Sequence, residues 1–359
     1  MKLFSIHAVK LRACIVSLLA AMAFTSCGDS HLVFDYEGDC NPYYYVQYVY
    51  DMNMEWHDTF GSNATSVVLY VFDSATGNLV GTYRENDMAA LSAPGYRMPV
   101  DLKPGTYDFV AWCGLENNQE NLFTLRQSVS RREELECRME RQYEGQQAFQ
   151  NKQLNALFYG KATASLPDEE GEHVVTVHLV KDINNIVLSM QHVSGEPLTT
   201  DMFTVTMSEA NGYLAYDNSL KEDEDIEYRP WHVRSGSIDI AGTKADSDAE
   251  EGDNLNFFMA EISTSRLMKD RDPRINIIDN ATGNIVYSIP IVKWATTFRS
   301  QQYKDANNNI HVISDDQEYL DRRSDYEVML YLDNGEEGWL AAEIYINSWR
   351  VVFHEEELK

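Results

Sequence analysis

Apolar residues in this chain come in short runs broken by Gly, Pro, Asn and Asp. Tyr43 to Tyr50 is dense in aromatics and predicts a strand. Ser66 to Phe72 is almost continuously apolar, the pattern of a buried strand. Asp73 to Asn78 is turn chemistry, and Leu79 to Tyr83 returns. Tyr96 to Leu102 and Thr106 to Trp112 flank Lys103-Pro104-Gly105 and predict a hairpin, because Pro presets φ and Gly takes the left-handed corner. Residues 130–143 differ. Ser130 with Glu133 suggests a capping box, and Leu135 and Met139 lie one helical turn apart, so a short surface helix is expected.

The polar stretch from Leu166 to Glu172 is the expected boundary between a first unit, 43–167, and a second, 168–359. Beyond it, strands are predicted at Val174 to Val180, Ile183 to Val193, Phe203 to Ser208, Ser235 to Ile240, Leu255 to Ile262, Arg274 to Ile278, Ile285 to Val292, Asp325 to Leu332, Ala342 to Ile346 and Trp349 to Phe353. Many short strands with turns between them predict an all-β sandwich or barrel. One echo links the two units: the octapeptide from Asp73 to Val80 matches that from Asp279 to Val286 at six of eight positions. Two related halves, or one good turn sequence used twice, account for it equally well.

The N-terminus carries a targeting pattern. Lys2, Lys10 and Arg12 precede an apolar run from Ile15 to Phe24, followed by Thr25, Ser26 and Cys27. A run this short suits a signal peptide over residues 1–26 rather than a membrane span. Cys27 directly after small residues resembles a bacterial lipobox, in which the thiol is lipidated and becomes the mature N-terminus. An ordinary secretory signal with an incidental Cys27 is the alternative. Residues 27–42 then form an acidic leader, with Asp29, Asp35, Glu37 and Asp39; acids in this place resemble a surface-export signal.

Composition narrows the function. The 359 residues hold 57 Asp and Glu against 29 Lys and Arg, a net charge of −28. Such a field repels phosphate backbones and anionic bilayers, so no nucleic-acid partner is expected. Once the signal is removed, Cys40, Cys113 and Cys137 accompany Cys27: one disulfide with a free thiol, or three buried thiols. No His pair has zinc spacing, and there is no nucleophile elbow, phosphate loop or dinucleotide turn. No catalytic residue, metal or cofactor is therefore expected. Glu222 to Asp225 is a plain charge run, and Asp246 to Gly252 has its Gly at the seventh position rather than the sixth that a calcium loop requires, so both read as solvated loops.

Several segments together resemble a known family. They are Cys40-Asn41-Pro42 through Met54, Ser66 through Asp73, Leu102 through Tyr107 with Val110-Ala111-Trp112, and Ile344 through Val352. In this order they resemble the fimbrium-anchoring lipoproteins, the minor fimbrial subunits of Bacteroidales-type (type V) pili. The resemblance implies two tandem transthyretin-like β-sandwich domains, with the 130–143 helix an insertion in the first. It further implies a lipid anchor at Cys27, an outer-membrane, cell-surface location at the fimbrium base, and fimbrial stalk or accessory subunits as partners. Stalk subunits of such pili lose their leader and first strand to an Arg-specific protease. Here no Arg or Lys occurs from Cys27 to Tyr83, which suits a subunit that keeps its anchor.

The last strand is the candidate contact with a neighbour. Ile344 and Ile346 alternate with polar residues, as do Trp349 and Val351, and a bulge or bend is expected at Asn347-Ser348, where the parity shifts. It serves either its own sandwich or an adjoining subunit. A different class of function, a glycan-binding surface lipoprotein, would use Tyr43-Tyr44-Tyr45 and Trp56-His57 as stacking platforms.

Overall fold

The computed structural model describes residues 41–116, 122–239, 254–335 and 338–351. Seven strands form one connected ladder: β1 (Pro42–Val49), β2 (Val67–Asp73), β3 (Leu79–Glu85), β4 (Met98–Val100), β5 (Gly105–Cys113), β10 (Phe158–Leu166) and β11 (Gly171–Lys181), in the order β3-β2-β5-β10-β11-β1-β4. The long β11 joins its two parts. It runs parallel to β1 over Gly171 to His178, then pairs with β10 over Leu179 to Lys181. Gly160 stands at this divergence, where a Cβ would come within 2.6 Å of Val177 Cγ1 and 2.7 Å of the His178 carbonyl.

A second sheet has the order β16-β17-β12-β22-β23-β24, from β12 (Ile183–His192), β16 (His232–Asp239), β17 (Asn254–Ser265), β22 (Asp325–Gly335), β23 (Gly338–Ile346) and β24 (Trp349–Val351). A third has the order β19-β18-β13-β15-β9-β8, from β8 (Gln142–Glu144), β9 (Gln147–Gln150), β13 (Phe203–Glu209), β15 (Ile226–Tyr228), β18 (Arg274–Asp279) and β19 (Ile285–Pro290). Smaller ladders join β6 (Phe123–Leu125), β7 (Glu136–Met139) and β14 (Tyr213–Ala215), and β20 (Gln302–Lys304) with β21 (Ile310–Val312). Four short helices are described: α1 (Phe60–Asn63), α2 (Met88–Leu91), α3 (Ile291–Thr297) and α4 (Asp316–Arg322).

Two hydrophobic cores follow, and one sheet walls both. Val67, Leu69 and Val71 of β2, with Phe109, Ala111 and Cys113 of β5, meet Tyr44, Val46 and Tyr48 of β1 in the first core. Their neighbours Val68, Tyr70, Phe72, Val110 and Trp112 point the other way, into a larger core shared with the second and third sheets. Burial on both faces is why β2 reads as a continuous apolar run rather than an alternating one.

Four expectations are corrected. Residues 130–143 are not a helix: a 3-10 turn at Arg132–Glu134 leads into β7. Leu135, Cys137 and Met139 are all buried while Arg138 is exposed, which is period two; Leu135 and Met139 fit either period. The expected capping acid is replaced by Glu134, whose carboxylate accepts from the Ser130 and Arg131 amides. The Pro104-Gly105 turn does not make a hairpin, since β4 pairs with β1 while β5 pairs with β2 and β10. The strand expected through Val292 ends at Pro290, the N-cap of α3, which begins at Ile291.

The boundary at 167/168 falls inside the β10–β11 turn, between two strands of one ladder. Its polar composition marks a surface turn. The chain passes to the second sheet at Asp182. The halves also exchange strands: β9, from before the expected boundary, pairs with β15, and β14, from after it, pairs with β7.

Candidate functional site

The C-terminal hairpin is built by its turn. Asn347 and Ser348 both have positive φ, 48° and 70°, and reverse the chain so that Ile346 pairs with Trp349 and Ile344 with Val351. The expected bulge or bend is thus a tight two-residue turn, of the kind whose twist matches a hairpin. Asn347 fastens it to β22: its amide donates to the Glu327 carbonyl at 2.8 Å, and its Oδ1 accepts from the Glu327 amide at 3.0 Å. The four predicted contact residues therefore separate. Ile344 and Ile346 are wholly buried in the chain's own core, whereas Trp349 is 54% exposed on the edge strand β24; Val351 is its terminal position.

The other end of the chain is fixed by β1, which runs in parallel beside β11 with Tyr44, Val46 and Tyr48 buried. The Tyr44 hydroxyl donates to the Pro167 carbonyl at 2.7 Å. Cys27, the acidic leader and Cys40 lie outside the described residues. Cys113 and Cys137 are free, buried thiols in different cores, and burial pushes both thiol pKa values up.

Of the aromatics of the glycan reading, Tyr44 and Trp56 are committed elsewhere, while His57 is exposed. Tyr44 is buried and Tyr45 half-buried, leaving Tyr43 exposed. Trp56, in a left-handed conformation (φ 61°), stacks on His311 with ring centres 4.0 Å apart and planes 8° from parallel. The Arg322 guanidinium lies 3.9 Å from the same ring centre. Two groups this close cannot share a face, so Trp56 is sandwiched. Arg322 also donates to the Asp51 carbonyl at 3.0 Å, and Asp305 Oδ2 accepts from His311 Nε2 at 3.1 Å. This column ties the 51–59 loop to β21 and α4. No sequence signal announces it, because its members are far apart in the chain.

The Glu222 to Asp225 run is not simply solvated. Arg141 grips Asp223 with two bonds of 2.8 and 2.9 Å, both side chains nearly fully buried, and reaches Glu224 at 3.1 Å. The run locks the exchanged segment to the second half. Asp246 to Gly252 lies outside the described residues. Among the described residues no group of three His, Cys, Asp or Glu is placed to hold a metal, and no helix is long and apolar enough to cross a membrane.

This architecture has solved counterparts. A candidate adhesin from Bacteroides thetaiotaomicron is 28% identical, with 89% of this chain and 100% of that one covered and a TM-score of 0.72. A candidate polysaccharide-binding protein from the same organism is 27% identical, with coverages of 88% and 99% and a TM-score of 0.69. The fimbrial anchor protein Mfa2 of Porphyromonas gingivalis is 15% identical, with coverages of 88% and 100% and a TM-score of 0.61; at that identity the likeness concerns the fold. No curated protein matches the chain. The sequence profile of the fimbrillin-A associated anchor proteins Mfa1 and Mfa2 matches residues 36–355. On that match, the chain belongs to the family of fimbrillin-A associated anchor proteins.

Proposed function

We propose that this protein is a non-catalytic fimbrial subunit, held in the outer membrane by lipid on Cys27, that tethers or terminates a surface pilus through protein–protein contact. Family membership supports the fimbrial role. The observation that carries the anchoring role is the first strand. Tyr44, Val46 and Tyr48 seat β1 in the first core, and no Arg or Lys lies between Cys27 and Tyr83 at which a basic-specific protease would remove it. A subunit that keeps β1 keeps its leader and the lipid on it. The contact with the fibre is assigned to the exposed edge of β24 and to Trp349, since Ile344 and Ile346 serve the interior.

The test is Cys27→Ala in cells that assemble the fibre. Several acyl chains at ~0.8 kcal/mol per buried CH₂ hold a protein at a membrane far more firmly than one short chain. The variant is expected in the aqueous rather than the detergent phase, with fibres shed into the medium. Full membrane retention would overturn the lipid anchor; retained fibres on a released subunit would overturn the tether. The glycan reading has less support, because both faces of Trp56 are occupied.

A further inference from the structure

Asp182 stands where the chain leaves β11 for β12, at the seam between the two halves, and is completely buried. Its amide donates to the Leu157 carbonyl at 2.8 Å. Its side chain meets Asn218, in the turn after β14: Asn218 Nδ2 donates to Asp182 Oδ1 at 2.8 Å. The other oxygens of this pair, Asp182 Oδ2 and Asn218 Oδ1, are both buried and both lack a hydrogen-bond partner. Two acceptors left over on two side chains already joined by one bond are what remains of a cyclic acid–amide pair when one proton is missing.

The charges around the pair point the same way. Arg266 lies 3.8 Å from Asp182 Oδ1 but is already engaged. It grips Asp321 of α4, with Nη2 2.9 Å from each carboxylate oxygen and Nε 3.1 Å from Oδ1, and its Nη1 donates to the Asn218 carbonyl at 2.6 Å. Tyr159 and Cys137 also face Asp182, and both are neutral, their pKa values raised first by burial; Asp217, next to Asn218, adds a further negative charge beside Tyr159. With Asp182 and Asp321 both ionised, one guanidinium would face two carboxylates, and the more deeply buried of them would hold an oxygen without a donor.

We propose that Asp182 is a neutral carboxylic acid whose Oδ2–H donates to Asn218 Oδ1, closing a ring of two hydrogen bonds, and that loss of this proton to solvent is a pH switch on the seam between the halves. One proton satisfies both orphan oxygens and leaves Arg266 with the single counter-charge of Asp321. Burial lifts the Asp182 pKa from 3.8 to about 7, against the opposing pull of Arg266 and Asn218. Between those values the folded protein holds a proton that the unfolded chain has released. This group's stabilisation is therefore full below pH 3.8, is lost as pH rises towards about 7, and changes no further above it.

The experiment compares the thermal unfolding of the full chain with that of Asp182→Asn from pH 4.5 to 8.5. The amide keeps both bonds of the ring without a titrating proton. The variant's unfolding constant, relative to wild type, should fall about tenfold per pH unit up to about pH 7 and then level off. A ratio independent of pH would overturn the proposal. A second measurement needs no variant at Asp182 and stands even if that variant fails to fold. The wild-type infrared spectrum should show a protonated-carboxyl band at pH 5.5 that is lost by pH 8.5 and that Asn218→Ala moves. A spectrum without that band, or one indifferent to Asn218→Ala, would overturn it.

Discussion

Asp73 and Asp279 hold the same place in two matching hairpins, one in each half. Each accepts a hydrogen bond from the Thr three residues on, Thr76 or Thr282, at 2.7 Å. The carbonyl of each accepts from a glycine amide, Gly77 at 2.8 Å or Gly283 at 2.7 Å, and both glycines have φ of 73°. Each turn is preceded by a register shift at the same offset, between Val71 and Phe72 and between Ile277 and Ile278. The echo in the sequence is therefore an echo in structure down to the bulge.

That conformation gives the first prediction. Gly283→Ala meets no atom within 4 Å, so its cost is the left-handed backbone alone, about 1–2 kcal/mol. Gly77→Ala adds a Cβ 3.3 Å from Glu133 Oε1 and should cost slightly more. Chemical denaturation of the two variants checks the order.

The buried Arg141–Asp223 pair leaves no room beside Gly212. A Cβ there would stand 2.5 Å from Ile226 Cδ1 and 2.9 Å from Arg141 Nη2. Gly212→Ala should destabilise by roughly 1–3 kcal/mol through overpacking. Asp223→Ala, which removes the two-bond partner of the buried guanidinium and leaves it the contact with Glu224, should cost about 2–5 kcal/mol. Denaturant midpoints measure both, and an unchanged midpoint for Asp223→Ala would refute the lock.

At the C-terminal hairpin the two proposed roles separate by residue. Ile344→Ala opens the core and should cost about 2–5 kcal/mol. Trp349→Ala, on the exposed edge, should stay within about 0.5 kcal/mol of wild type while fewer fibres remain on the cell. Normal fibre retention in Trp349→Ala would remove β24 from the contact.

Limited proteolysis addresses the strand exchange. Nicking concentrates in exposed polar turns, so the 167–171 turn is an expected site. Because β9 is paired in the third sheet and β14 with β7, the two fragments should elute together under native conditions and part only in denaturant. Fragments that elute separately would contradict the interlock.

Strands that owe their pattern to their own two faces were legible in the sequence. β2 announced itself by a continuous apolar run, and β11 and β13 by alternation. Three- and four-residue strands such as β8, β9 and β15 were not, because partners distant in sequence make them strands. The 130–143 segment misled because residues four apart share a face in both helix and strand. In the candidate site, the Asn347-Ser348 parity break was visible, but its sense was not, since two positive φ values reverse a chain where one bulge only shifts it. The pairing of Asp182 with Asn218 and the Trp56 column depend on long-range folding alone.

The parallel registration of β1 on β11 also determines how this molecule bears load. A pull between the N-terminal side of Pro42 and the C-terminal half is transmitted along two strands that point the same way, joined from Pro42–Gly171 to Val49–His178. Those rungs are loaded in shear and must fail together, rather than peeling one after another as in a hairpin opened from its end. Under the proposed tethering role, tension from the fibre would be borne by the ladder as a whole.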